Sequence, residues 1–316
     1  MTVSSVPSSF RYSIVIPVYN SEQIVATTID RVVQTFTAAG LDFELICVND
    51  GSPDDSWRVI SERAEATPGV LALDLMKNYG QHYANLAGLT EATGDYVITM
   101  DDDLQNPPDQ TLVLIQAAVT GGHDVVFGQF DQKEAAGPRR LGSILVGLIN
   151  RRVFGQPPDL VVSNFRILRR DVVDRIVASR TAYPYITGQA LLLSNDRANV
   201  LVHHDPRPVG TSNYNLVRIL RLVLTILFSY SSWPLRAATL LGFAVSGLSF
   251  LLGGFLVVRA LVADTSVPGW TSVMVLLSLF FGVAIALLSM IGEYVVRTLN
   301  TVSQGASFHV VRRAGW

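Results

Sequence analysis

Residues 95–109 read DYVITMDDDLQNPPD, which places three consecutive aspartates directly after an apolar run. The run YVI at 96–98 has the character of a buried strand. Asp101 and Asp103 are two residues apart, so they point the same way if the strand stays extended beyond Met100. With the side-chain amide of Gln105 they make a set of hard oxygen ligands suited to Mg²⁺ or Mn²⁺. The alternative is a solvated acidic turn that caps the next helix.

The sequence on both sides of this stretch alternates strand and helix signals. Runs this apolar suit parallel strands that are covered on both faces. Alternation with helical periodicity then predicts an α/β fold with a doubly wound sheet. The predicted strands are 13–19, 43–48, 70–74, 95–100 and 124–128, and the predicted helices lie near 22–39, 54–66, 80–93 and 108–121.

Polar residues follow three of the predicted strands at the point where each strand ends. Asn20 follows the first strand, the stretch NDGS at 49–52 follows the second, and the aspartates at 101–103 follow the fourth. Ligands of such sheets bind at the carboxyl ends of the strands. We therefore expect the three clusters to converge on one crevice.

The last third of the chain is much more apolar than the rest. No charged residue occurs from Ala237 to Val258 or from Thr265 to Gly292. A membrane-spanning helix needs about 20 mostly apolar residues. Two membrane helices are therefore predicted, at about 236–261 and 269–292; the alternative is a pair of buried core helices.

Two basic, amphipathic stretches, 139–155 and 214–230, suit helices that lie at a membrane surface or pack on the sheet. We expect a catalytic domain over 1–213 and an amphipathic interfacial helix over 214–234. The two membrane helices occupy 235–292, and a tail over 293–316 carries a short strand near 307–311.

The charges flanking the predicted spans indicate their orientation. Arg218, Arg221 and Arg236 precede the first span, and Arg297, Arg312 and Arg313 follow the second. Basic residues are retained on the cytoplasmic side. A multi-pass protein of the inner (plasma) membrane is predicted, with the catalytic domain and both termini in the cytoplasm.

The composition excludes other classes of function. The formal net charge of −2 gives no sign of a nucleic-acid partner. The single cysteine, Cys47, has no partner for an internal disulfide and is expected in the core.

Several motifs together resemble a known family. The stretches IPVYN at 16–20, VNDGSPDD at 48–55, KNYGQ at 77–81 and MDDDLQNPPD at 100–109 resemble inverting glycosyltransferases of family 2 with the GT-A (Rossmann-like) fold. The stretches HHDPRPVGTSNY at 203–214, SYSSWPLR at 229–236 and IGEYVVRT at 291–298 are similar to membrane-anchored polyprenyl-phosphate glycosyltransferases of the dolichol-phosphate mannose synthase type.

The resemblance implies roles for particular residues. It implies a UDP- or GDP-linked sugar as donor, a polyprenyl phosphate as acceptor and a dimer or tetramer as assembly. The metal would be held by Asp101, Asp103 and Gln105. The nucleotide would contact Pro17, Tyr19, Asn20, Asp50, Lys77, Asp101 and Asp102; the acceptor phosphate would contact Arg139, Arg140, Arg166 and Ser212; and catalysis would involve Asp103, Asn164 and Arg207.

Two positions depart from the family pattern. Asn164 stands where members often have an acidic residue proposed as a base. Either the acceptor relies on its own ionisation, or Asn164 positions a phosphate or a sugar hydroxyl. Members also often carry an arginine shortly after the strand at 124–128; here Lys133, or Arg139 and Arg140, supplies that charge, unless the two arginines contact lipid headgroups.

Three other functions compete with polyprenyl-phosphate transfer. A membrane-tethered glycosyltransferase with a saccharide acceptor would need a base. The absence of an acidic residue at position 164 counts against this function. A metal-free scaffold would not need the aspartates. A flippase would need a polar pathway, and neither predicted span contains a charge.

Overall fold

The computed structural model describes residues 8–130, 147–179, 181, 183–203, 205, 224–231, 269–303 and 308–316, together with isolated positions between 233 and 262. The chain divides into two compact units. The first comprises Met1–Val223 and Gly305–Trp316, and the second comprises Leu224–Gln304.

The first unit alternates strands and helices, and up to residue 130 it follows the sequence prediction with small shifts at the ends of elements. The predicted α/β fold class is confirmed. Its elements are β1 (Arg11–Val18), α1 (Val25–Ala38), β2 (Asp42–Asn49), α2 (Ser56–Ala66), β3 (Val70–Leu75), α3 (Gln81–Glu91), β4 (Tyr96–Thr99), α4 (Gln110–Gly121), β5 (Val125–Phe130), β6 (Arg166–Arg169), α5 (Arg170–Ala178), α6 (Ile186–Leu193), β7 (Arg197–Val202) and β8 (Val310–Gly315).

The eight strands of the described residues form one sheet in the order β7-β5-β6-β4-β1-β2-β3-β8. Strands β1, β2, β3 and β4 run parallel, so their carboxyl ends share one edge. Strand β6 is antiparallel to β4 and β5, and β8 is antiparallel to β3. The start of β6 therefore lies at the same edge as the end of β4, which the sequence did not indicate.

The apolar runs form strands because both faces of the sheet are covered. Every residue of β3 and β4 is buried. Helix α1 buries Val25, Ile29, Val32 and Phe36, a three- to four-residue spacing that puts one apolar face on the sheet. Cys47 is buried and free, as predicted.

The C-terminal strand β8 is fastened to the sheet edge by a buried carboxylate. Asp74 accepts hydrogen bonds from Arg312 Nε at 2.7 Å and from Asn49 Nδ2 at 2.6 Å. The Arg312 guanidinium also lies over the Trp57 ring, 4.8 Å from its centroid. A charge-assisted pair and a cation–π contact thus hold the tail beside the end of β2.

The second unit contains helix α7 (Trp270–Ser303), within which the predicted span 269–292 falls. Most of the other predicted span, 236–261, lies outside the described residues. Within the described part of the chain, no helix has both the length and the apolar character needed to cross a bilayer. The two membrane helices stay predictions. Helical residues are described at 147–154 and 224–230, inside the two amphipathic stretches.

Candidate active site

A polar cavity opens at the edge of the sheet where β1, β2 and β4 end. Its volume is about 830 Å³. All three clusters predicted to converge are represented in its wall or directly beside it, which follows from the parallel order of the strands. The lining residues are Pro17, Val18, Tyr19, Asp50, Asn78, Gly80, Gln81, Asp101, Asp102 and Asp103.

Asp50 fixes the loop that forms one wall of the cavity. Its two carboxylate oxygens accept the backbone N–H groups of Tyr79 at 2.7 Å and Gly80 at 2.8 Å. Burial raises the pKa of Asp50, and these two hydrogen bonds oppose the rise. Asp50, predicted to contact the nucleotide, therefore lines the cavity and at the same time anchors the loop at 77–80.

The three aspartates reach the cavity by a route that the sequence did not predict. Strand β4 ends at Thr99, and a turn follows in which Leu104 has a left-handed φ of 56°. The chain does not stay extended through Asp103, which was the condition for Asp101 and Asp103 to point the same way. The carboxylates still line one cavity because a tight turn at the strand end presents successive side chains to the same space.

Crowding of like charges perturbs the aspartates. Burial, reinforced by the charges of Asp103 and Asp102, raises the pKa of Asp101 to about 7. Burial also raises the pKa of Asp102 to about 6, against opposing hydrogen bonds from Ser21 and Tyr19. One Asp102 oxygen, Oδ2, is buried without a partner among the described residues. The aspartates are therefore either partly protonated or stabilised by a bound cation.

The raised pKa values predict a pH-dependent stability of the metal-free protein. The folded state holds more protons than the unfolded state between about pH 4, where free carboxyls titrate, and about pH 7, where Asp101 titrates. The contribution of Asp101 and Asp102 to the free energy of unfolding is therefore greatest below this pH window, and it is lost as pH rises through the window.

The change is measured as the difference in Tm between the wild type and Asp101→Asn from pH 4.5 to 7.5 in chelator. We expect the difference to move in favour of the variant as pH rises. A difference that does not change with pH would contradict the electrostatic description.

The donor set fits a divalent cation, although it is not a complete metal site by itself. Among the described residues, no group of three or more His, Cys, Asp or Glu side chains is arranged to hold a metal. Asp101 and Asp103 line the cavity, whereas Gln105 donates its backbone N–H to Asp103 Oδ1 at 3.2 Å. Closely spaced carboxylates in an open polar cavity suit Mg²⁺ or Mn²⁺, which take further oxygens from a substrate.

Gln81 and Asn164 form a contact that the sequence did not predict. Gln81 Nε2 donates to Asp101 Oδ1 at 2.5 Å, and Asn164 Nδ2 donates to Gln81 Oε1 at 3.3 Å. Asn164 thereby reaches the aspartates through Gln81. The available signal was the KNYGQ motif, in which Gln81 is the last residue.

Arg166 is fully buried, so an acceptor does not reach it unless neighbouring side chains move. Its Nη1 donates to Thr187 Oγ1 at 2.6 Å, while Nε and Nη2 have no partner in the described part of the chain. Burial lowers the pKa of Arg166 to about 10 and that of the neighbouring His82 to about 3. Arg166 is therefore a buried positive charge that interacts with Asp101, and its contact with the acceptor phosphate stays a prediction.

Of the other residues predicted to contact the nucleotide, some line the cavity and some do not. Pro17 and Tyr19 line the cavity, and Tyr19 is 50% exposed, which leaves its ring open to a ligand. Asn20 is not among the lining residues; its φ of 56° explains an asparagine there, because asparagine tolerates left-handed backbone. Lys77 lines a neighbouring cavity of about 700 Å³, with its Nζ 5.1 Å from the Tyr79 ring centroid.

The remaining predicted site residues lie outside the described residues: Lys133, Arg139, Arg140, Arg207 and Ser212. The chain just before Arg207 does meet the aspartate loop. Asp205 donates its backbone N–H to the Gln105 carbonyl at 2.9 Å, and the His203 N–H donates to Gln110 Oε1 at 2.9 Å.

Comparison with known sequences extends over nearly the whole chain. The family model described as Glycosyl transferase family 2 matches residues 13–177. The chain is 32% identical to an undecaprenyl-phosphate 4-deoxy-4-formamido-L-arabinose transferase of Pseudomonas fluorescens, over 94% of this chain and 88% of that protein. A protein of the same name from Proteus mirabilis is 29% identical over 96% of this chain and 94% of its own length.

Comparison with solved structures supports the fold. Glucosyl-3-phosphoglycerate synthase from Mycobacterium tuberculosis, in complex with Mn²⁺, uridine diphosphate and phosphoglyceric acid, superposes with a TM-score of 0.55. The identity is 16%, over 72% of this chain and 79% of that chain. The likeness confirms the GT-A (Rossmann-like) architecture of the first unit.

Proposed function

Since this chain belongs to glycosyl transferase family 2, we propose that it moves a sugar from a nucleotide-sugar donor onto the phosphate of a polyprenyl phosphate. The observation that carries the proposal is the extent of the similarity to proteins named for undecaprenyl phosphate. It covers 94% of the chain and so continues far beyond residue 177, where the family match ends. The shared part thus includes the second unit as well as the catalytic fold.

The cavity at the sheet edge is the proposed donor site. The open Tyr19 ring offers a face on which a nucleobase stacks, since such stacking tolerates any base. The loop held by Asp50 forms another part of the wall. Asp101 and Asp103 would hold Mg²⁺ or Mn²⁺ beside the donor diphosphate. When bound, the metal supplies positive charge that stabilises the leaving nucleoside diphosphate.

The proposed reaction needs no strong general base. The second pKa of a phosphate monoester is about 6, so the acceptor is mostly dianionic near pH 7. A phosphate oxygen attacks the anomeric carbon, the new C–O bond forms, and the bond from that carbon to the donor diphosphate breaks with inversion. This agrees with an amide at position 164, because asparagine does not take up a proton usefully.

We propose that the reaction takes place at the cytoplasmic face of the inner (plasma) membrane, where a polyprenyl chain resides. Helix α7 supports this location with a series of exposed apolar residues, an arrangement that water disfavours and lipid favours. The series includes Val273, Leu277, Phe281, Ile285 and Leu288.

A donor panel tests the proposed function. UDP- and GDP-linked sugars with a labelled sugar, including 4-deoxy-4-formamido-L-arabinose, are incubated with the full chain and undecaprenyl phosphate in detergent, with Mn²⁺ or with chelator. We expect one donor to label the organic phase only when metal is present. Label that appears solely as free sugar or in a saccharide would overturn the acceptor assignment.

A further inference from the structure

We propose that Gln81 and Asn164 form a directional hydrogen-bond relay that positions Asp101, and that an asparagine at position 164, not an aspartate, is what makes the relay work. In this role Gln81 and Asn164 are positioning residues, acting through Asp101. The inference rests on the proposed function to the extent that Asp101 holds the cation beside a nucleotide.

The direction of the relay is fixed by the chemistry of its ends. An ionised carboxylate only accepts hydrogen bonds, so Gln81 must present its Nε2 to Asp101 Oδ1, at 2.5 Å. The Gln81 carbonyl oxygen then faces the other way, towards position 164. Asn164 meets it with Nδ2 at 3.3 Å, so each contact has one donor and one acceptor.

The backbone holds both amides in place. Strands β4 and β6 pair antiparallel with Thr99 opposite Arg166, so the segments after Thr99 and before Arg166 leave the sheet side by side. Thr99 Oγ1 donates to the Asn164 carbonyl at 2.6 Å. Gln81 is the first residue of α3 and follows Gly80, whose N–H is held by Asp50. The side chains therefore meet from two fixed supports.

An aspartate at position 164 would reverse the Gln81 amide. A carboxylate there is a second acceptor, so it competes for Nε2 and leaves Oε1 facing Asp101. Two oxygens would then be opposed, and Asp101 would lose the donor that orients it. Simple addition of charge predicts the opposite result, because one more carboxylate beside the cavity strengthens cation binding.

Binding of Mn²⁺ distinguishes the two views. The loss of the free Mn²⁺ electron paramagnetic resonance signal is measured at pH 8 with UDP or GDP, whichever the wild type binds. We expect Asn164→Asp to weaken Mn²⁺ binding by about tenfold, the range for a hydrogen bond to a charged group. Asn164→Ala should weaken it less, because Gln81 keeps its donor on Asp101. Asn195→Asp makes the same substitution at an exposed residue that does not line the cavity, and it should leave Mn²⁺ binding unchanged.

A double substitution tests the route through Gln81. In a Gln81→Met background the amide is gone, so Asn164→Asp should no longer weaken Mn²⁺ binding. Asn164→Asp that binds Mn²⁺ as tightly as the wild type or more tightly would overturn the relay, as would Asn164→Ala that is equally damaging. If the wild type binds no Mn²⁺ in the presence of UDP or of GDP, the proposed function itself is overturned. Failure of the proposed function is thus distinguished from failure of the relay.

Discussion

Replacing Asp101 by asparagine is expected to reduce sugar transfer by about a hundredfold or more while leaving the fold intact. Removal of one preorganised electrostatic group from an active site typically costs that much. The side chain keeps its shape, and Gln81 Nε2 still finds an oxygen to which it donates. The substitution removes only the charge that the proposed metal needs.

Stability distinguishes this effect from misfolding. Because burial and the neighbouring aspartates raise the pKa of Asp101 to about 7, loss of its charge relieves repulsion, and the Tm in chelator at pH 7.5 should not fall. Asp109→Asn is the matched control: Asp109 is exposed, lies on the same loop and is not among the residues that line the cavity. Transfer that survives in Asp101→Asn, or is lost equally in Asp109→Asn, would refute the role of Asp101.

Replacing Gly51 by alanine is expected to disrupt the donor site and the fold around it. The residue has a left-handed φ of 60°, and an added Cβ would lie 2.4 Å from the Lys77 carbonyl carbon and 2.5 Å from the Asn78 nitrogen. Both atoms belong to the backbone of the loop that Asp50 anchors, so no side chain can rotate away. We expect the free energy of unfolding to fall by about 2–4 kcal/mol, because backbone strain and overpacking add together.

Gly40 provides the matched control for backbone strain alone. Its φ is 65°, and an added Cβ would meet nothing within 4 Å. Gly40→Ala should therefore lower the free energy of unfolding by only about 1–2 kcal/mol and leave nucleotide binding unchanged. Thermal unfolding and nucleotide binding are compared for both variants. Equal losses of Tm in the two variants would mean that contact with the loop at 77–80 adds nothing to the cost of Gly51→Ala.

The sequence predicted the sheet because its central strands are buried on both faces, which leaves continuous apolar runs. It also predicted that Asp50 and the aspartates at 101–103 would share a crevice, since parallel strands end at one edge. It did not predict that β6 runs antiparallel between β4 and β5. That reversal brings Asn164 to Gln81, which lines the cavity, and no local periodicity encodes it.

The site residues that sequence reasoning missed or misplaced have individual physical causes. The Gln81–Asn164 contact joins residues 83 positions apart, so it depends on tertiary structure alone. Asn20 was interpreted as a pocket residue, but its left-handed backbone accounts for the residue type. Arg166 was assigned to the acceptor phosphate by family resemblance, whereas its side chain is fully buried in the structure.

The most direct test of the account is the choice of acceptor. The full chain is given the active donor with Mn²⁺ and either undecaprenyl phosphate or undecaprenol, which differ only in the phosphate, and the lipid products are identified by mass spectrometry. Transfer to a phosphate oxygen without a strong base predicts a sugar–phosphate–lipid from the first and no glycosylated lipid from the second. Glycosylation of the alcohol at a comparable rate would contradict it, because a hydroxyl acceptor requires a base that position 164 does not provide.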